Sequence, residues 1–326
     1  MPVKYLALCA LALSGAYAQT LSITPFQPAA PIDVQQFDLP WDGPGAAVFN
    51  PSQLTGIRHV DARVALYQTV SGKLGTMFYQ GGARIYRGLF SGLAYFSNGM
   101  TYDHYDPIAA NTVFDRSRFV FEESILTPML AYGLDSLAGS GYSLSLGAAL
   151  PRHAFNAFDA TRSTAMALDL GARLEWPSLG LVGRFRTGLA ARNLFAQGIR
   201  LPSDFGAKYK GLRPNYDFSV LWSSIAGRLD LYSEYNLHQQ PDRSEGPFDD
   251  NVPFVKSLGM EVRPIPMLGL KLERTWLKTW TAGAVLRAPI RKAMIGAEAD
   301  LSHDGWFTSQ DEGRGFMWSL ALNAGM

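Results

Sequence analysis

The stretch Met166-Ala167-Leu168-Asp169-Leu170-Gly171-Ala172-Arg173-Leu174-Glu175-Trp176 decides the fold. Met166, Leu168, Leu170, Ala172, Leu174 and Trp176 put an apolar or small residue at every second position. Between them stand Asp169, Gly171, Arg173 and Glu175. A repeat of two is the period of a β-strand, whose successive side chains point to opposite faces; a helix would scatter the same charges around its surface. The dyad returns in Leu229, Leu231, Tyr235 and Leu237 against Arg228, Asp230, Glu234 and Asn236. It returns again in Trp280, Ala282, Ala284 and Leu286 against Thr281, Gly283 and Arg287, and in Ile295, Ala297, Ala299 and Leu301 against Lys292, Glu298 and Asp300. From about residue 58 onward the chain repeats one theme: about ten residues of alternating character, then Gly, Pro, Asn, Asp or Ser.

Soluble sandwiches also alternate, so the contents of the two faces must break the tie. The polar face carries Gly, Asp, Glu, Arg and Ser in close succession, a poor lining for a dry core. Aromatic residues gather near the expected strand ends, as at Trp176, Trp222, Trp276, Trp280, Trp306 and Trp318. Apolar outside, wet inside and aromatic at the rims is the pattern of a barrel in lipid. Strands that cross hydrocarbon must pair on both sides, and only closure gives every strand two neighbours. The fold expected is therefore all-β, a transmembrane antiparallel β-barrel.

About 268 residues from His59 to Met326, at roughly ten per strand plus turns, give about 14 strands, give or take two. Placements near residues 61, 72, 84, 117, 141, 164, 179, 203, 214, 227, 253, 267, 279, 292 and 315 give one strand too many, and the surplus is expected among the early ones. Ser71-Gly72 and Leu277-Lys278 read as short turns. The longest connections, residues 98–116 and 239–253, are rich in Asp, Asn and Pro and read as external loops. The last strand runs through Phe316, Trp318, Leu320, Leu322 and Ala324 to Met326 and is expected to close the barrel.

Composition agrees. The 326 residues are 47% hydrophobic and 17% charged, with 32 Gly and 12% aromatics, which excludes a disordered chain and favours strands joined by tight turns. A net charge of +1 supplies no general attraction for nucleic acid. Lys4, the apolar run that follows and Ala16-Tyr17-Ala18 make a signal peptide cleaved after Ala18. Cys9 leaves with it, so the exported chain has neither disulfides nor a thiol nucleophile. Residues 1–18 are thus a signal segment, 19–58 a separate N-terminal segment and 59–326 the barrel, located in a bacterial outer membrane.

Residues 19–58 do not alternate. Pro25, Pro28, Pro31, Pro40, Pro44 and Pro51 interrupt any strand, and Phe26, Phe37, Trp41 and Phe49 follow no period. A barrel of this width leaves a water channel unless something fills it, and this segment is an available stopper. It ends in Gly43-Pro44-Gly45, then Ala46-Ala47-Val48-Phe49, then Asn50-Pro51-Ser52-Gln53-Leu54. That passage resembles the FadL-like superfamily of outer-membrane proteins, including its PorV/PorQ branch, where a small-residue run leads into an Asn-Pro-Ala-Gly-Leu-like motif before the first strand. Ser52-Gln53 stands here for Ala-Gly. A second passage, Gly188-Leu189-Ala190-Ala191-Arg192-Asn193-Leu194 followed by Leu201-Pro202 and Gly206-Ala207-Lys208-Tyr209, is similar to one found mid-barrel in PorV-type proteins.

The resemblance implies that residues 19–58 are a hatch, with Phe49, Asn50, Pro51 and Leu54 at its junction with the wall. It also implies passive transport of hydrophobic small molecules or, alternatively, a non-transporting role as outer-membrane partner of a protein secretion or surface-attachment system. The partners expected are outer-membrane lipid, a hydrophobic small molecule or a secreted protein, and the barrel-assembly machinery during biogenesis. Taken as a plain sequence, Asn50-Pro51 is also an ordinary turn signal.

The polar faces supply the candidate lumen charges Asp169, Arg173, Glu175, Arg184, Arg186, Asp230, Glu234, Lys271, Glu273, Arg287, Glu298 and Asp300. Mixed signs read first as a salt-bridged interior and second as a selectivity device. No enzymatic activity, metal or cofactor is expected: the five histidines have no zinc-type spacing, and no Gly-x-Ser-x-Gly elbow occurs. His104 with Asp103 and Asp106 reads as a solvated loop.

Overall fold

The computed structural model describes residues 50–57, 59–69, 74–102, 119–134, 141–157, 161–196, 214–224, 228–238, 254–275, 280–290, 293–303 and 314–324. A short 3-10 helix, η1 (Pro51–Gly56), precedes sixteen strands: β1 (Val60–Thr69), β2 (Leu74–Tyr86), β3 (Leu89–Tyr102), β4 (Phe119–Leu134), β5 (Ser143–Ala149), β6 (Arg152–Ala157), β7 (Thr161–Met166), β8 (Leu168–Glu175), β9 (Arg184–Leu194), β10 (Asn215–Ser223), β11 (Leu229–His238), β12 (Phe254–Ile265), β13 (Leu268–Thr275), β14 (Trp280–Ile290), β15 (Ala293–His303) and β16 (Arg314–Ala324). A second 3-10 turn, η2 (Gly180–Val182), leads into β9.

All pairings are antiparallel and they form a ring. Each strand from β8 to β16 pairs with the next, β16 pairs with β1, and the chain of pairs continues through β2, β3, β4 and β5 back to β8. The terminal strands β1 and β16 are joined over ten residue pairs, from Val60 opposite Ala324 to Thr69 opposite Gly315. Closure removes the sheet edge that an open sheet would expose to hydrocarbon.

Sixteen strands make fourteen staves, because two staves are broken. The long β4 pairs through Met129–Leu134 with β5 and through Phe121–Leu126 with β6. Two prolines cause the interruption. Pro128, opposite the break, accepts from the Leu150 N–H at 3.0 Å but has no N–H to return, and Pro151 has none either. The neighbouring stave breaks at the same level, between β7 and β8, where the Ala167 N–H reaches the Pro151 carbonyl at 3.1 Å. Inward alternation runs through both breaks without slipping: Ser145, Ala149 and His153 on one stave, Ala165, Asp169 and Arg173 on the other, are all buried.

The early placements are all strands, so the surplus expected there is not. The placement near 203 lies outside the described residues. The expected loop at 98–116 begins later, since β3 continues through Tyr102. Trp318 falls in the middle of β16 and not at a strand end. The turns at 71–72 and 277–278, the loop cluster Asp103, His104 and Asp106, and residues 1–49 lie outside the described residues.

The faces are inverted relative to a soluble protein. Leu93, Leu130, Leu189, Leu258 and Leu286 are each at least half exposed on the outside, whereas Asp61, Asp169, Asp217, Asp230, Glu261 and Glu273 are buried within. Tyr79 and Tyr95, opposite each other on β2 and β3, stack obliquely on the outer face with ring centroids 6.4 Å apart. Lipid is the medium in which exposed leucine costs nothing, and an enclosed, paired interior is the one that tolerates these carboxylates.

Candidate functional site

The site is built where η1 meets the inner wall. Asn50 is extended (φ −140°, ψ 101°), and its Oδ1 accepts from the Ser52 N–H at 3.2 Å and from the Ser52 hydroxyl at 2.6 Å. Pro51 then starts the helix, where its missing N–H is no loss. With Oδ1 committed to this cap, Nδ2 is free to donate outward. It reaches the carbonyl oxygens of Ala172 on β8 at 3.2 Å and Leu189 on β9 at 3.1 Å. Those two residues stand opposite each other in the ladder, so one carboxamide straddles two adjacent strands.

Close approach needs a wall without side chains. Gly147 on β5 and Gly171 on β8 are directly paired beneath Asn50 and Pro51. A Cβ at Gly147 would sit 2.3 Å from the Pro51 carbonyl carbon, and one at Gly171 would sit 2.0 Å from Asn50 Oδ1. A second glycine pair, Gly82 and Gly92 on β2 and β3, lies under the side chains of Ile57 and Leu54. Leu54 and Ile57 are fully buried there. Further ties fix the helix sideways: Thr55 Oγ1 lies 2.8 Å from Ser145 Oγ, and Arg173 donates to Gln53 Oε1 at 3.3 Å.

The interior surrounding η1 has two unlike sides. On β2–β4 the buried inward residues include Phe78, Phe90, Ala94, Phe96, Ile125, Met129 and Ala131. From β8 to β14 the inward face is charged and organised into local networks. Glu175 accepts from Arg173 at 3.1 Å and from Arg186 at 3.0 Å. Arg192 pairs with Asp217 at 2.7 Å, both buried, with Glu234 and Asp169 in its electrostatic reach. Glu261 Oε1 accepts from Arg263 and Arg287, each at 2.9 Å, while Arg263 also holds Asp230. Lys271 neighbours Glu261. Charges gathered in this way satisfy one another, which is the condition for burying them at all.

Of the lumen charges expected from the sequence, Asp169, Arg173, Asp230, Glu234, Lys271 and Glu273 are buried, and Glu175, Arg186 and Arg287 are half-buried. Arg184, the first residue of β9, is exposed. The side chains of Glu298 and Asp300 in β15, and the whole of Phe49, lie outside the described residues. Asn50, Pro51 and Leu54 are buried at the wall. Asp169 acts locally. Its carboxylate accepts the Asn193 N–H at 2.7 Å, where the backbone at Asn193 (φ 57°) and Phe195 (φ 52°) is left-handed at the end of β9. Among the described residues β7 is left pairing with β6 alone.

Sequence reasoning passed over Asp217, Glu261 and Arg263, and quoted Arg192 only within a motif. The signal was present for two of them, since Gly259, Glu261 and Arg263 alternate with Leu258, Met260 and Val262, all three exposed outside. Among the described residues no group of three or more His, Cys, Asp or Glu side chains could hold a metal ion.

No family model and no curated protein sequence matches the chain. Solved structures do. The toluene transporter TbuX of Ralstonia pickettii aligns with a TM-score of 0.53 at 9% identity, over 87% of this chain and 94% of its own. The toluene transporter TodX of Pseudomonas putida aligns with a TM-score of 0.53 at 8% identity, over 86% and 92%. A FadL homologue of Pseudomonas aeruginosa aligns at 0.49 and 12% identity, over 87% and 94%. The narrower likeness to PorV and PorQ rests on the two sequence motifs. With the ring of fourteen staves, the inverted faces and an N-terminal segment docked on the inner wall, the chain has the fold of the FadL-like outer-membrane barrels.

Proposed function

We propose that the chain is an outer-membrane channel through which small hydrophobic molecules pass passively, with residues 19–58 as a hatch that keeps the lumen closed to polar solutes. The observation that carries this reading is the division of the interior. The apolar inner wall of β2–β4, continued by Leu54 and Ile57 of η1, offers a path for an apolar solute, and the mutually paired charges of β8–β14 offer none. A uniformly wet pore would suit hydrophilic solutes, and a uniformly apolar one would not stay hydrated. Two structures of like fold carry toluene transporter in their names, which supports the same class of solute.

On this reading the chain is exported, cleaved after Ala18, inserted by the barrel-assembly machinery and surrounded by outer-membrane lipid. The test is uptake of radiolabelled toluene by intact cells lacking the gene, against cells carrying it on a plasmid. Slower entry in the deletion strain supports the channel. Unchanged entry together with mislocalised surface proteins replaces it with the secretion-partner reading.

A further inference from the structure

The inner face of β2 carries a polar side chain that the fold leaves unsatisfied. Gln80 is 6% exposed, and among the described residues neither its Nε2 nor its Oε1 has a hydrogen-bond partner. A buried carboxamide in this state has given up water and received nothing, which is rare in native proteins and points to a group that arrives from elsewhere. Its setting defines that group. Gln80 stands opposite Ala94 on β3, and Ala94 opposite Thr127 on β4, all three buried on the inner face. One inward position along, Phe78 stands opposite Phe96, and Phe96 opposite Ile125. The Phe78 and Phe96 rings meet edge to face with centroids 6.2 Å apart. Gln80 has two cross-strand neighbours, small Ala94 on β3 and Arg63 on β1, and the aromatic pair lies beside it. An apolar ring can pack on the phenylalanines while one polar end meets the carboxamide.

We propose that Gln80, with Phe78 and Phe96, binds the neutral hydroxyl end of a small aromatic solute, so that the channel prefers phenol-class molecules to plain aromatic hydrocarbons. The inference rests on the transport reading above and names the substrate class of that lumen. A hydroxyl both donates and accepts, which matches the Oε1 and Nε2 of one amide; a carboxylate only accepts. A hydrocarbon fits the rings but leaves the amide as orphaned as before.

The experiment is equilibrium dialysis of the purified full-length protein in detergent micelles against labelled p-cresol, toluene and benzoate, with protein-free micelles subtracted, alongside entry of the same solutes into proteoliposomes. The unaltered protein is expected to bind p-cresol roughly five- to tenfold more tightly than toluene, the value of one net hydrogen bond. Gln80→Met, which keeps the length and loses the polarity, is expected to erase the difference and retain toluene binding. Should that variant fail to fold, as judged by loss of heat-modifiable migration, Ala94→Leu fills the space beside an intact Gln80 and is expected to weaken p-cresol binding. Equal affinity for p-cresol and toluene, a preference that survives Gln80→Met, or tighter binding of benzoate overturns the proposal and leaves transport standing. A Gln80-dependent preference in micelles without entry of either solute into proteoliposomes supports the binding site and overturns transport.

Discussion

Asn50 donates from its carboxamide nitrogen to the carbonyl oxygen of Leu189, 3.1 Å away in space and 139 positions along the chain. The contact joins the two passages that stood out in the sequence, the Asn-Pro motif before the barrel and the Gly-Leu-Ala-Ala-Arg-Asn-Leu passage within it. The same amide nitrogen holds Ala172 on the adjoining strand, and the same side chain caps η1 through its oxygen. One residue therefore starts the helix and fastens it to the wall.

Replacing Asn50 by Ala removes the cap and both donors while leaving every wall strand paired. The loss is about 1 kcal/mol for each hydrogen bond, enough to free a short segment but not to open a closed barrel. The expected outcome is normal heat-modifiable migration together with faster release of a trapped hydrophilic dye from proteoliposomes. Release at the unaltered rate would mean that Asn50 is an ordinary turn residue.

Gly171→Ala tests the same seat from the wall side. The new methyl carbon would lie 2.0 Å from Asn50 Oδ1 and 2.9 Å from Pro51 Cδ, so the start of η1 must move away. Gly81→Ala is the control, because a Cβ there meets only the Asp61 carbonyl oxygen at an ordinary 3.7 Å. Dye release is expected to rise for the first variant and to stay unchanged for the second. Equal release from both would show that the glycine seat does not hold η1 as a seal.

Which of these features could be read from residues alone follows from the range of the physics involved. The dyad at residues 166–176 is local, since each side chain's face is set by its neighbours two positions away, and it revealed strands, faces and most of the buried charges. The glycine seat was invisible because Gly147 and Gly171 look like small residues on a polar face until the segment that precedes β1 is laid across them. The broken staves were hidden for a similar reason: Pro128 and Pro151 each read as a local interruption, and only the β4 ladder shows them at adjacent levels, where β5 gives way to β6. Gln80 is silent in the sequence because a lone glutamine on an inward face is ordinary until the fold places no hydrogen-bond partner beside it among the described residues.

The lipid-facing and lumen-facing sides of one strand should respond oppositely to charge. Leu270 and Lys271 are neighbours on β13, the first about half exposed and the second buried inward. Leu270→Arg places a guanidinium in hydrocarbon, at a cost of about 2–4 kcal/mol near the bilayer midplane. Lys271→Arg keeps a charge in the network beside Glu261. Reduced recovery of heat-modifiable protein from outer membranes is expected for the first and near-normal recovery for the second. The reverse order would show that the outward face does not meet lipid.

Glu261 is the acceptor on which the charged half of the lumen turns, because both Arg263 and Arg287 share its Oε1. Glu261→Gln preserves shape and removes the charge, leaving Arg287 without this carboxylate while Arg263 keeps Asp230. Breaking a buried ion pair from one side costs about 3–5 kcal/mol, since the remaining charge stays desolvated. The variant is therefore expected to lose its heat-resistant folded band at a clearly lower temperature than the unaltered protein in a gel-shift series. Glu261→Gln paired with Arg287→Met should recover part of that loss, because the orphaned guanidinium is gone. A double variant no more stable than the single one would mean that the two residues act independently, and the network would then be a set of separate contacts.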